Sequence, residues 1–191
     1  MLFRSPRIKC SDCDNRLLIP LSDSVIYDHL AGKCTVGVYP LLADDSCHLL
    51  AVDFDEAEWK EDARAFAHSC LELGVPVSLE ISRSGNGAHA WVFFANSVSA
   101  RDARRLGTAI ISHACARTRQ LNLKSYDRLF PNQDTMPKGG FGNLIALPLQ
   151  KTPRDHGCSV FVDGDLRRYP DQWAYLASIQ PMAPEDIEPV I

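Results

Sequence analysis

Hydrophobic residues along the chain switch between a period of two and a period near three and a half, and the switches mark the elements. The stretch "CHLLAVDFD" (47–55) is a short apolar run ending in acids and reads as a buried strand. In "EWKEDARAFAHSCLELG" (58–74), Trp59, Ala63, Phe66, Ala67, Cys70 and Leu71 recur at spacings of three and four. That is an amphipathic helix, closed by Gly74 and followed by Pro76. Two strands follow, "PVSLEIS" (76–82) and "AHAWVFFA" (88–95). A second helix starts near Ser99, with Asp102 three residues on as its capping-box partner and Ala103, Leu106, Ile110 and Ala114 on one stripe. "NLIALPL" (143–149) and "SVFVD" (159–163) supply two further strands.

The order strand–helix–strand–strand–helix–strand is the split βαβ arrangement of ferredoxin-like and RNA-recognition-motif (RRM-like) folds, an α+β sheet with helices on one face. In that arrangement the 143–149 strand takes the edge beside 47–55. The chain reads as a single domain over 1–191: an N-terminal addition (1–42), a core (43–163), and a C-terminal helix and tail (164–191). Its final "QPMAPEDIEPVI" is proline-rich and expected to be extended. No internal repeat or low-complexity segment interrupts it.

Composition adds limits. A content of 46% hydrophobic and 23% charged residues is that of an ordinary globular protein. No apolar run approaches the ~20 residues that span a bilayer, and "MLFRSPRIKC" lacks a signal-peptide core. With no such signal, seven cysteines point to a reducing compartment, the cytoplasm, and to no membrane partner. A net charge of −4 speaks against a protein that coats nucleic acid indiscriminately. The charge is uneven, however. Residues 1–100 carry 8 Lys/Arg and 14 Asp/Glu, residues 101–168 carry 12 and 6, and the rest carry 0 and 4. A basic third quarter facing an acidic first half fits either a polyanion track beside a metal site or two solvated faces of opposite sign.

Asp53 and Asp55 lie two apart on the first strand, so both carboxylates point to one face, where a divalent cation such as Mg²⁺ or Mn²⁺ would relieve their repulsion. The bland alternative is a pair of acids at a strand end. A third acid lies ahead of the 143–149 strand, and spacing leaves Asp127 and Asp134 both open. The loop "SRSGNGAH" joins two strands and matches neither the dinucleotide fingerprint nor the Walker A loop. Its Asn86-Gly87 pair is a hairpin signal. Beside the acids, the amides around Gly85–Gly87 with Arg83, His89 and Lys138 become candidates for holding a polyphosphate.

Together "AVDFD", "SRSGNGAHAWVFF" and "SYDRLFPNQDTMPKGGFGNLIALPLQ" resemble the three signature regions of the archaeo-eukaryotic primase superfamily. The nearest likeness is to the primase-polymerase domains of TOTE conflict systems and of CRISPR-associated primase-polymerases, over roughly residues 7 to 176. The resemblance implies template-directed nucleotidyl transfer with two divalent ions on Asp53, Asp55 and Asp127, the last supplied by Tyr126-Asp127. It implies that His89 and the loop Ser84, Gly85, Asn86 and Gly87 hold the incoming triphosphate, with Arg83 and Lys138 neutralising charge and Asn143 among the nucleotide-binding residues. Ser84 stands in for the family's serine, because Gly87 occupies the place two before His89. Implied partners are a DNA template and primer, dNTP or NTP, and other components of a defence or CRISPR system, with the basic 101–168 region as the nucleic-acid track.

Cys10-x-x-Cys13 has zinc-knuckle spacing and needs two further ligands, for which Cys34, Cys47 and His48 are available. Cys70 and Cys115 read as core. Two other classes compete with a polymerase: a non-catalytic nucleic-acid-binding module, which needs aromatics displayed on the sheet, and a metal-dependent nuclease or phosphatase.

Overall fold

A computed structural model describes residues 19–55, 57–117 and 129–191. Its elements are α1 (Asp23–Leu30), β1 (Gly37–Val38), β2 (Ser46–Phe54), α2 (Trp59–Glu72), β3 (Ser78–Ile81), β4 (Ala88–Ser99), α3 (Ala100–Arg117), β5 (Leu129–Phe130), β6 (Ile145–Ala146), α4 (Lys151–Asp155), β7 (Val160–Val162) and α5 (Gln172–Ser178). Five strands form an antiparallel sheet in the order β5-β2-β4-β3-β7. Its first four strands follow the split βαβ order.

The alternation along β2 decides which face meets what. Leu50, Val52 and Phe54 point to α2 and α3, where they pack with Phe66, Cys70, Leu106 and Ile110. Ala51 points the other way, into a second cluster with Trp91, Ile145, Leu149 and Phe161. Both helices are closed as their sequences demand. After α2, the amides of Gly74 and Val75 return to the carbonyls of Leu71 and Cys70, a Schellman closure. At the start of α3, Ser99 Oγ accepts from the Asp102 amide at 3.0 Å and donates to its carboxylate at 2.7 Å.

Two expectations fail here. The 143–149 run does not border β2. Only Ile145 and Ala146 are strand, and they pair with Val38 and Gly37 in a separate two-stranded sheet. Pro148 cannot donate to a ladder, and Leu149 sits at φ 69, so the run turns away and its Ile145 and Leu149 cover the sheet instead. The place beside β2 belongs to β5, with Leu129 opposite Val52 and Phe130 opposite Ala51. The final residues are also not a free extended tail. Met182 exchanges backbone bonds of 2.8 and 2.9 Å with Phe93 and Ala95 where β3 has ended, and Met182 and Ile187 are buried. Short 3₁₀ turns at Pro184–Asp186 and Glu188–Val190 follow.

His29 ties α1 to the layer over the second face. It is 1% exposed, its Nε2 donates to the Pro148 carbonyl at 2.9 Å, and its Nδ1 accepts from the Val36 amide at 3.0 Å. Only a neutral ring does both. Burial pushes the His29 pKa below 6.5; Arg83 reinforces the effect, and the Pro148 and Leu147 carbonyls and Glu80 oppose it without reversing it. The unfolded chain therefore binds the proton more readily, so this stabilisation is full above the ordinary value of 6.5 and is lost as pH falls below it. Urea denaturation from about pH 7.5 down to about pH 5 is expected to show stability falling more steeply in the wild type than in His29→Gln. Equal slopes would contradict the assignment.

Candidate active site

The register of the sheet sets three side chains in a row. Asp53 on β2 pairs with His89 on β4, and His89 pairs with Glu80 on β3. All three point to the face away from α2 and α3. His89 lies between two carboxylates, with Nε2 3.5 Å from Asp53 Oδ1 and Nδ1 2.9 Å from Glu80 Oε2. Glu80 also accepts from Trp91 Nε1 at 2.8 Å and from Ser159 Oγ at 3.2 Å. Exposure grades along the row: the side chains of Asp53, His89 and Glu80 are 23%, 14% and 2% exposed, so the Asp53 end is the mouth. Burial by itself disfavours a charged His89. The Glu80 hydrogen bond and the charges of Glu80, Asp53 and Asp55 outweigh it, and the His89 pKa is raised. Asp55 is exposed, one residue beyond the end of β2, and its charge adds to those that favour the protonated His89.

The 82–87 loop closes against this cluster. The turn is not at Asn86-Gly87. Ser82 accepts from the Gly85 amide at 3.0 Å, which puts Arg83 and Ser84 at the corner, and Gly85 takes the left-handed φ of 76. Ser84 Oγ accepts from the Asn86 amide at 3.2 Å and lies 3.1 Å from Ser82 Oγ. Asn86-Gly87 misled because the type I′ hairpin turn that this pair favours needs positive φ at both positions, and neither has it. Gly87 is a glycine for another reason: a Cβ there would lie 2.6 Å from the Phe54 carbonyl and 3.4 Å from Asp55 Cα. Its bare backbone lets the loop lie on the end of β2, beside the acids. The Gly85 and Asn86 amides are spent inside the loop, which leaves the Arg83, Ser84 and Gly87 amides for a ligand among the described residues.

Other sequence candidates scatter. Arg83 is exposed on the loop and near enough to His29 to lower its pKa. Lys138 is exposed and lies on the segment that follows Met136. Met136, two residues earlier, donates to Asp45 ahead of the first residue of β2, and Asp53 is eight steps along the strand from Asp45, roughly 26 Å. Asn143 is committed to the fold, donating to the Leu129 carbonyl at 2.9 Å and accepting from the Asn132 amide at 3.3 Å. It pins β5 beside β2. Asp134 is ion-paired with Arg104 on α3, the helix layer on the opposite face. Asp127, Tyr126, Cys10 and Cys13 lie outside the described residues. Cys47 is buried in the helix-side core, where burial pushes its thiol up to about 12, while the adjacent His48 is exposed. Cys34 sits elsewhere, its carbonyl accepting from Gln150. Among the described residues no group of three or more His, Cys, Asp or Glu side chains is arranged to hold a metal ion. Glu80 escaped the sequence reading. Its one signal is an acid on a short strand whose neighbours Leu79 and Ile81 are apolar.

A split βαβ sheet backed by two helices, with carboxylates and a histidine at the ends of its central strands, defines an α+β domain with its site on the uncovered end of one face. The chain belongs to the family described as the archaeo-eukaryotic primase domain of TOTE conflict systems, whose model matches residues 1–190. No curated protein matches it. Membership makes this a primase-like, nucleotidyltransferase-like domain of a conflict system, a class that works on nucleic acid and nucleotides and generally uses divalent metals. No described helix is long and apolar enough to cross a membrane.

The Gly87 contact is testable on its own. Gly87→Ala is expected to cost about 1–3 kcal/mol in chemical denaturation, because backbone on both sides must move. Gly164→Ala, where a Cβ meets nothing within 4 Å, is expected to change stability by less than about 0.5 kcal/mol. Equal effects would contradict the close approach.

Proposed function

We propose that the domain is a template-directed DNA primase-polymerase, transferring a nucleotidyl group from a dNTP or NTP to a 3′-hydroxyl with release of pyrophosphate. The observation that carries the reading is the convergence of Asp53, Asp55, His89 and the 84–87 loop at one open strand end. Paired carboxylate oxygens suit a hard cation, and two are too few for a complete set. Asp127 and substrate phosphates are the complement this reading requires. Asp127 is joined through Arg128 to Leu129, the strand partner of Val52 next to Asp53. On this reading Mg²⁺ or Mn²⁺ would be held by Asp53, Asp55 and Asp127, the last of which lies outside the described residues. Such ions supply Lewis acidity at the 3′-hydroxyl and at the leaving pyrophosphate.

The chain's own groups do the rest. The Ser84 and Gly87 amides face the incoming phosphates, His89 Nε2 binds a phosphate oxygen beside Asp53, and Arg83 adds exposed positive charge. Positioning and electrostatics carry this chemistry, so no protein nucleophile is needed. The arginines of α3 are weaker candidates for the nucleic-acid track. Three of its four, Arg104, Arg105 and Arg117, are paired with Asp134, with Asp102 and Glu188, and with Glu72, on the helix layer, and the fourth, Arg101, is exposed on the same helix. A stacking module draws no support, because Trp91 is 1% exposed and held by Glu80.

Primer–template extension with dNTPs and Mn²⁺ tests the reading. Asp53→Ala combined with Asp55→Ala is expected to lower the rate by at least ~10³-fold, the loss of several kcal/mol of charge stabilisation. Asp127→Ala is expected to fall comparably and Asp134→Ala to stay within ~3-fold of wild type. Extension that survives the double substitution, or strand cleavage in its place, would contradict the proposal.

A further inference from the structure

Glu80 is 1% exposed on an internal strand, where an apolar side chain would fill the same space without the cost of burying a charge. It is kept satisfied by three donors from two segments: His89 and Trp91 on β4, and Ser159 just ahead of β7. Trp91 Nε1 can only donate, and an ionised carboxylate can only accept, so the ring proton facing Glu80 belongs to His89 Nδ1. The neighbours are arranged for the purpose. Ser159 is held at φ 54, a left-handed value uncommon outside glycine, with its amide on the Ile81 carbonyl at 2.8 Å and its carbonyl receiving the Leu149 amide at 2.8 Å. That backbone brings its hydroxyl under the carboxylate. Trp91 meets the His89 ring edge-on, with centroids 5.8 Å apart, and so blocks rotation from the side.

We propose that Glu80 is a positioning residue of the nucleotide site: by accepting from His89 Nδ1–H it fixes the rotation of the doubly protonated ring, so that Nε2–H faces the mouth beside Asp53, where it donates to a phosphate oxygen of the nucleotide. The inference rests on the reading that His89 contacts the triphosphate. Glu80 acts through His89, and it touches no substrate.

The experiment pairs nucleotide binding with the His89 ring itself. Glu80→Gln keeps volume and an oxygen acceptor, and is the primary variant if Glu80→Ala does not fold. Binding of a non-hydrolysable dNTP analogue with Mn²⁺ is expected to weaken ~10-fold in Glu80→Gln and further in Glu80→Ala, while kcat for extension changes less than KM. In a His89→Ala background, Glu80→Gln is expected to add no further loss, because its effect has no other route. A loss that persists in that background means a merely structural role and overturns the proposal, as does unchanged binding. Nitrogen NMR of the His89 ring separates this inference from the functional reading. A protein that binds no nucleotide sinks the functional reading, and the ring signals still decide the role of Glu80. Nδ1 protonation held in a single ring state in wild type and lost or averaged in Glu80→Ala supports it. Identical ring signals in wild type, Glu80→Gln and Glu80→Ala overturn it.

Discussion

The antiparallel register of β2 on β4 is the constraint on which the rest depends. It sets Asp53 opposite His89, and the same strand carries His89 opposite Glu80 on its other side. A slip of one residue would send Asp53 toward α2 and α3 and bring Phe54 out onto the polar face. The register cannot slip, because Leu50, Val52 and Phe54 are locked among the side chains of both helices. The apolar half of β2 therefore aims its acid. Gly87 completes the arrangement by letting the loop lie directly on the end of that strand.

Placing charge on a sheet face that is mostly covered has a cost, and the second layer shows how it is met. Glu80 has three donors, and His29 keeps a neutral ring between two backbone groups. Leu149 and Ser159 link these two centres through one backbone bond. Exposure rises from Glu80 to Asp53 along a single row, so the Glu80 end is fully partnered and the Asp53 end is left open. Pre-organised polar groups next to a solvated mouth are what charge-stabilising catalysis needs. Family membership and this gradient support the same conclusion by separate routes.

How much was legible in the sequence follows from how much local physics each feature contains. β2, α2, β4 and α3 carry long periodic patterns with their own caps, and they appear within a few residues of their expected places. The face of Asp53 was legible because alternation is local, whereas Asp55 lies one residue past the end of β2. β5 was not: two residues, Leu129 and Phe130, hold no period, and the longer run at 143–149 looked more like a strand than it is. Asn86-Gly87 looked like the turn, whereas the fold needed Gly87 for a contact distant in sequence. Lys138 and Asn143 lie within the third signature block, yet Lys138 follows Met136, which is bonded to Asp45 just ahead of β2, and Asn143 anchors β5. Glu80 has meaning only once β3 and β4 are side by side. Its partners are 9, 11 and 79 residues away.

The central claim is that Asp53, Asp55, His89 and the glycine loop form one metal–nucleotide site. Paramagnetic broadening by Mn²⁺ with a non-hydrolysable dNTP measures it most directly. The account predicts that signals of Asp53, Asp55, Gly87 and His89 are lost first, while those of Asp134 and Met136, toward the other end of β2 some ~25 Å away, persist. Broadening centred on Asp134 and Arg104, or spread evenly over the chain, would contradict it.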